Sequence, residues 1–329
     1  MGGDNAPSAI ISGAAFAAAE LGVHIKLVGQ EDVIKSELDK IKESGKIKST
    51  GEISILHAPD VIGTDEIPTT AIRRKRESSI VLGLKAVKEG QASAFVSAGS
   101  TGALLTAATV YVGRKSGIER PALAALLPNR NGHTLLVDCG ANVDCKPNYL
   151  LQFAQMGSEY MSRARGIKNP KIGLVNIGTE VEKGNTLVKE VYTLLEEAKE
   201  QSGLNFVGNI EAREIPMGAV DVAVCDAFVG NVILKHTEGL AKSILGIIKE
   251  ELMADPLSKV GALISKGAFG RIKKRFDYDE IGGAPFLGLK NLVVKAHGSS
   301  NERAIFGAIR QCVLYNSNID EGKDGNNGI

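Results

Sequence analysis

The chain of 329 residues has no tryptophan, 5% aromatic residues and only four cysteines, Cys139, Cys145, Cys225 and Cys312. None of the cysteines forms a CxxC pair or takes metal-ligand spacing, so they are expected to be reduced thiols and no metal site is expected. No apolar run approaches the ~20 residues that span a bilayer. The opening "MGGDNAP" has neither a basic n-region nor an apolar h-region, so no secretory signal is expected and the chain reads as soluble and cytoplasmic. Charge of one sign is also lacking: the formal net charge is +1, which argues against a nucleic-acid partner. Several catalytic signatures are missing too. There is no GxGxxG after a strand, no GxxxxGK[ST], no GxSxG and no HExxH. An enzyme built on this chain works without an evident covalent nucleophile, metal or redox cofactor, and no cofactor is expected.

What is present is glycine, 38 residues, and a 43% hydrophobic composition that supports a large core. One pattern recurs with different sequences: a short apolar run, a glycine-rich turn, then helical periodicity. It occurs in "ASAFVSAGSTGALLTAATVYV", in "HTLLVDCGANVDCKPNYLLQFAQMGSEYM" and in "PKIGLVNIGTEVEKGNTLVKEVYTLLEEA". It occurs again in "VDVAVCDAFVGNVILKHTEGLAKSILGIIKEEL" and in "LVVKAHGSSNERAIFGAIRQCVLY". Such alternation predicts βα units on a mainly parallel sheet, with ligands bound at the strand C-termini. The turns "SAGSTG", "DCGAN", "NIGTEVEKGN", "CDAFVGN" and "AHGSSN" are therefore expected to face one cleft.

These turns are rich in Gly, Ser, Thr and Asn and nearly all open a helix. Glycine lets backbone approach a ligand closely, and the free N–H groups of a first helical turn attract anions. Ser100, Thr101, Ser299 and Ser300 add hydroxyls, and Lys183 and His297 add charge. One such turn reads equally well as an ordinary N-cap. Five together favour phosphate or another compact anion.

The ordered motifs "MGGDNAP", "SAGSTGAL", "RPAL", "DCGAN", "NIGTEVEKGN", "GNIEAREI", "DAFVGNVILK", "GGAPFLG" and "HGSS" span Met1 to about Asn316. Together they resemble the PlsX family, the acyl carrier protein:phosphate acyltransferases of bacterial phospholipid synthesis. The resemblance implies transfer of a long acyl chain from acyl carrier protein to inorganic phosphate, giving an acyl phosphate. It also implies a homodimer and an α/β three-layer sandwich similar to isocitrate and isopropylmalate dehydrogenases and to phosphate acetyltransferase. The downstream glycerol-phosphate acyltransferase is a further implied partner. Two departures stand out. Family members usually carry a short strand ending in Asp-Ala before the "MGGD" motif, where this chain starts, so either the start is misassigned or the first strand and its acidic residue are missing and a sheet position is unfilled. Ala227 stands where the family has glycine, which is strained if the position needs positive φ.

For such a reaction phosphate is itself the nucleophile, and the protein supplies positioning and charge compensation. Lys183 is the leading choice for holding phosphate, Asn231 for the oxyanion or phosphate, and His297 for a proton. Ser97, Gly99, Ser100, Thr101, Gly102, Asn142, Asn185, Gly298 and Ser299 are the candidate phosphate and substrate contacts. Lys235 and Glu238 read as a surface pair.

Two basic segments complete the picture. "RRKRESS", Arg73 to Ser79, reads either as a solvated helix face or as a receiver of phosphate groups. In "DPLSKVGALISKGAFGRIKKRFDY", residues 255–278, Leu257, Val260, Ile264, Ala268 and Ile272 repeat at helical spacing, while Lys259, Lys266 and Lys273 fall on another face. That composition suits a helical hairpin drawn to an anionic membrane surface. Packing against a second subunit and docking of acidic carrier protein use the same residues. The expected organisation is one catalytic unit over residues 1–316, with this helical excursion projecting from it and a disordered tail over 317–329. The competing functions are a phosphate acetyltransferase acting on coenzyme A thioesters and a non-catalytic membrane scaffold for acyl carrier protein.

Overall fold

The computed structural model describes residues 1–45, 51–275 and 282–324, with side chains of 273–275 and 318–324 outside the description. Its elements follow the sequence pattern. They are α1 (Ser8–Leu21), β1 (Ile25–Gly29), α2 (Glu31–Glu43), β2 (Ile53–His57), α3 (Pro68–Arg74), α4 (Ser79–Lys88), β3 (Ala94–Ser97) and α5 (Thr101–Ala107). A π-helical turn, Ala108–Val112, extends α5. Then come β4 (Ala122–Asn129), β5 (Gly132–Val137), α6 (Pro147–Arg165), β6 (Ile172–Asn176), α7 (Thr186–Ser202), β7 (Phe206–Glu211) and β8 (Val222–Val224). The last are α8 (Ala227–Leu252), α9 (Pro256–Arg275), β9 (Ala284–Leu287), β10 (Leu292–Lys295) and α10 (Glu302–Asp324).

Eight strands form one sheet in the order β3-β10-β9-β4-β5-β8-β6-β7. Its inner strands are apolar throughout because helices cover both faces. On one face α4, α5 and α8 pack through Leu84, Leu104 and Val229. On the other, Phe153 of α6 and Leu195 of α7 do so. This is the expected three-layer sandwich.

The directions of the strands are more informative than their number. β3 and β10 run parallel, as do β5, β8, β6 and β7. The two blocks run opposite ways and are joined by antiparallel pairings of β10 with β9, β9 with β4 and β4 with β5. Opposed blocks ordinarily send their C-terminal loops to opposite ends. Here the register offsets them. Val294 lies opposite Pro285 on β9, Leu123 lies opposite Phe286, and Ala124 lies opposite Val137. Continuing that register one residue puts Ala124 beside Pro285, so the last residue of β5, Val137, shares a row with Val294, one residue before the end of β10. The C-termini of the two blocks meet head to head.

Helix α8 starts at this meeting point. Asp226 caps it by accepting from the Val229 N–H at 2.9 Å. Ala227 is its first residue and takes helical rather than positive-φ backbone, so the alanine is unstrained there. One turn on, Gly230 lies so close to β5 that an added Cβ would stand 1.9 Å from the Asp138 carbonyl oxygen.

β1 and β2 form a separate parallel pair. The edges of β1 and β3 face each other across a cavity of about 380 Å³ lined by Ile25, Leu27, Phe95 and Ser97. At the other end α10 continues through Asp324, past the boundary at residue 316 expected from its polar composition. Once a helix is nucleated each added residue contributes a hydrogen bond, so a polar stretch extends it. Residues 325–329 lie outside the described residues.

Gly230→Ala is expected to lower stability by at least the ~1–3 kcal/mol of a core overpacking, since backbone must move. Gly239→Ala, on the same helix with nothing within 4 Å of its added Cβ, should instead gain up to about 1 kcal/mol. Thermal denaturation of the two variants beside wild type checks both signs.

Candidate active site

The meeting of the two blocks creates a cavity of about 600 Å³. Thr101 after β3 and His297, Gly298, Ser299 and Ser300 after β10 form one wall. Cys139, Gly140 and Val143 after β5 and Asn231, Leu234, Lys235 and Glu238 of α8 form the facing wall. Leu123, Ala125 and Leu126 of β4 make an apolar floor.

Asp138 builds the β5 wall. Its fully buried carboxylate accepts from the backbone N–H groups of Leu123, Gly140, Ala141 and Asn142 at 2.9–3.1 Å, and from the Asn142 side chain at 2.7 Å. Burial raises this carboxyl above its usual range while the donors pull it back. All these partners are donors, so the ionised form is the one that fits. The "DCGAN" turn is thus folded around an internal anion.

The opposite wall carries a buried cation. Lys295, the last residue of β10, is 8% exposed, and its ammonium reaches the carbonyls of Ala98 and Ala296. Burial lowers its pKa from 10.5 to about 8; Asp4 partly offsets this and Lys235 adds to it. Lys235 in turn pairs with Glu238 at 2.8 Å. The Lys235 charge disfavours the Lys295 ammonium from across the cavity, and an anion placed there favours it.

His297 is oriented from its own loop. The Ser299 backbone N–H donates to Nδ1 at 3.2 Å, and the Ser299 hydroxyl lies 2.8 Å from the same atom. Nδ1 therefore accepts, and Nε2 carries the hydrogen. The N-terminal motif holds this loop in place. Asp4 N–H donates to the Gly298 carbonyl at 2.8 Å, and Asn5 Nδ2 donates to the Ser299 carbonyl at 3.0 Å. Asn231 projects from α8 with no side-chain hydrogen bond among the described residues.

Of the residues singled out from sequence, Thr101, Asn231, His297, Gly298, Ser299 and Ser300 come together in this cavity, with Lys235 and Glu238 on its wall. The others do not line it. Lys183 and Asn185 sit in the exposed β6–α7 turn, where Asn185 caps α7 by accepting from Val188 N–H at 2.9 Å. Their strand lies beyond β8, one position further from the junction, so five turns converging on one cleft become four. Asn142 spends its amide on Asp138 and on the Pro121 carbonyl, 2.8 Å away. Ser97 faces the β1–β3 cavity and accepts from Gly99 N–H at 3.2 Å. Ser100 caps α5, and Gly102 is where an added Cβ would stand 2.9 Å from Pro68. Arg73 and Arg74 end α3 away from the cavity. Lys235 and Glu238 do pair, but on the cavity wall.

Lys295 escapes sequence reading because it looks like the polar end of "NLVVK". The available signal was a lone charge closing an apolar strand immediately before a glycine turn. Asp4 was hidden inside the "MGGD" motif.

Comparisons with known proteins bear on the family and the fold. The sequence model of the fatty acid synthesis protein family matches residues 1–318. A phosphate acyltransferase of Clostridium botulinum (strain Loch Maree / Type A3) is 48% identical over 330 aligned positions, 100% of this chain and 96% of that protein. A phosphate acyltransferase of Clostridium perfringens (strain SM101 / Type A) is 47% identical over 98% of this chain and 93% of that protein. Among solved structures, a phosphotransacetylase from Streptococcus pyogenes superposes with TM-score 0.60 at 16% identity, over 96% of this chain and 99% of that one. A 4-hydroxythreonine-4-phosphate dehydrogenase from Klebsiella pneumoniae does so with TM-score 0.55 at 12% identity, over 94% of this chain and 95% of that one. These likenesses establish the shared α/β architecture.

Burying Lys295 costs stability, and the pH dependence follows. Between pH about 8 and 10.5 the unfolded chain keeps a proton that the folded chain has lost. Stability rises with pH wherever the unfolded state binds more protons. Lys295→Met is therefore expected to be more stable than wild type at pH 7, by an amount on the order of 3 kcal/mol. The gap should close as pH rises through that window. Urea denaturation of both proteins at pH 7, 8.5 and 10 measures it.

Proposed function

The chain belongs to the fatty acid synthesis protein family, that of the phosphate acyltransferases, and on that footing we propose that it transfers a long-chain acyl group from acyl carrier protein to inorganic phosphate. The observation that carries the reading is the pairing of buried Lys295 with Lys235 across a cavity whose other half is apolar. A phosphate between the two ammonium groups relieves their repulsion. Leu123, Ala125, Leu126 and Leu234 offer the acyl chain a surface beside it.

The chemistry needs no enzyme nucleophile. A phosphate oxygen attacks the thioester carbonyl, the C–O bond forms, the oxyanion collapses and the C–S bond breaks. The Asn231 amide stabilises the oxyanion, and Nε2–H of His297 is placed to donate to it or to the leaving thiolate. Thr101 and Ser299 hold phosphate oxygens. Lys183 keeps a part only if it reaches a cavity other than that of its own chain, as in a homodimer.

The α8–α9 hairpin supports a peripheral role at an anionic membrane. No helix among the described residues is long and apolar enough to cross one. Asp255 caps α9 at the hairpin tip, accepting from Leu257 and Ser258 N–H groups at 2.9 Å. Leu257, Leu263 and Ile264 are 82%, 72% and 81% exposed, so the stripe is uncovered in the single chain. Lys259 and Lys266 are exposed beside it; the side chain of Lys273 lies outside the described residues. The α8 residues Leu240, Ile244 and Ile247, each about half exposed, suit contact with a second copy.

Supplying phosphate with palmitoyl-carrier protein or with acetyl-coenzyme A, and assaying acyl phosphate, tests the reaction. The expected result is turnover with the first donor, reduced about 10²-fold in Lys295→Ala, with Lys183→Ala retaining most activity unless the partner subunit uses it. Turnover with acetyl-coenzyme A alone would assign the chain to the shorter-chain chemistry, and none with either would overturn the proposal.

Leu257→Glu and Ile264→Glu are expected to abolish co-sedimentation with anionic vesicles at low salt while soluble turnover survives. Each basic residue near the surface contributes roughly 1 kcal/mol, so wild-type binding should weaken with salt. Conversion of the variants to monomers would assign the stripe to the dimer instead.

A further inference from the structure

We propose that a second cavity, beneath α9, receives the phosphopantetheine arm of the acyl donor; this rests on the acyl-transfer reading above. The cavity, about 700 Å³, lies between the β4–β5 turn, α6, α9 and α10. Arg165, Arg271, Arg310 and His133 line it, and no Asp or Glu does among the described residues. Arg165 Nη2 donates to His133 Nδ1 at 2.8 Å, which leaves Nε2–H of the imidazole as a further donor. This rim suits a phosphate, and guanidinium groups match phosphate oxygens in pairs.

The inner wall asks for more than a phosphate. Tyr160 and Gln311 are 2% and 8% exposed, and Gln311 Nε2 donates to the Tyr160 hydroxyl at 2.5 Å. Gln311 Oε1 is buried with no hydrogen-bond partner. The Tyr160 hydrogen has no acceptor among the described residues. A buried acceptor and a buried donor left open cost free energy unless a ligand supplies both complements. A fully ionised compact anion cannot satisfy Oε1, and a bare acyl chain satisfies neither. A phosphodiester followed by hydroxyl and amide groups satisfies the cationic rim, the acceptor and the donor. Leu126 lines this cavity and the catalytic one, so the two are neighbours across β4.

The same acyl group is presented on carrier protein, on coenzyme A and on pantetheine lacking the phosphate. For Arg271→Gln, an exposed position, KM for the phosphate-bearing donors is expected to rise about tenfold, the size of one lost charge-assisted contact. kcat and the KM for phosphate should stay unchanged, and the pantetheine donor should be unaffected. A rise for both phosphate-bearing donors assigns the site to the shared arm, whereas a rise for carrier protein alone places Arg271 against the carrier protein's surface and overturns the proposal. An equal rise for all three donors, or none, overturns the proposal. Calorimetry with 4′-phosphopantetheine, needing no turnover, separates the two readings. Binding by wild type that is lost in Arg271→Gln keeps the donor site even if no acyl phosphate forms. No binding by wild type sinks it even if acyl phosphate does form.

Discussion

One buried carboxylate holds the junction on which the structure depends. Asp138 gathers the N–H of Leu123 on β4, three N–H groups of its own turn and the Asn142 amide. Asn142 passes the constraint on, its carbonyl accepting from Ala227 N–H at the start of α8. Gly230 then rests on the Asp138 carbonyl. Hydrogen bonds to a charged group contribute about 1.5–3 kcal/mol each, which offsets the cost of burying the ion. The same contacts set the height at which β5 ends, and that height brings its turn level with the end of β10.

From that constraint the division of charge follows. The β5 turn satisfies its anion internally, and the one carboxylate on that wall, Glu238, is paired with Lys235. The β10 wall holds a cation that burial destabilises. Lys295 is costly to the fold, and such groups are retained where a ligand compensates them. Function and stability therefore pull in opposite directions at this residue, whereas at Asp138 they pull together. The hydroxyls of Thr101 and Ser299 belong to the β10 wall, beside an apolar floor. Polar and apolar halves within one cavity are what a reaction joining an inorganic anion to a hydrocarbon chain requires.

The βα units, the covering helices and the projecting hairpin were legible because periodicity and turn composition are local. The cap of α8, the helical conformation of Ala227 and the cavity residues Thr101, Asn231, His297, Gly298 and Ser299 followed from the same local signals. The convergence of all five turns was not legible correctly, because strand direction and register are long-range. β6 carries Lys183 and Asn185 one strand beyond the junction, and nothing in "EKGN" encodes that distance. Asn142 was misread for a related reason. An asparagine in a glycine turn looks like a ligand until its partner, a buried aspartate four residues earlier, is seen. Lys295 is the converse, a charge at a strand end that topology turns inward.

The central claim is that the ends of two opposed strand blocks form one anion site, and locating phosphate in a crystal tests it most directly. Crystals soaked in inorganic phosphate should show the ion between Lys295 and Lys235, in reach of Thr101 and Ser299, with Asn231 facing it. Phosphate found instead at the β6–α7 turn beside Lys183 of the same chain, with the Lys295 cavity holding only water, would contradict the account.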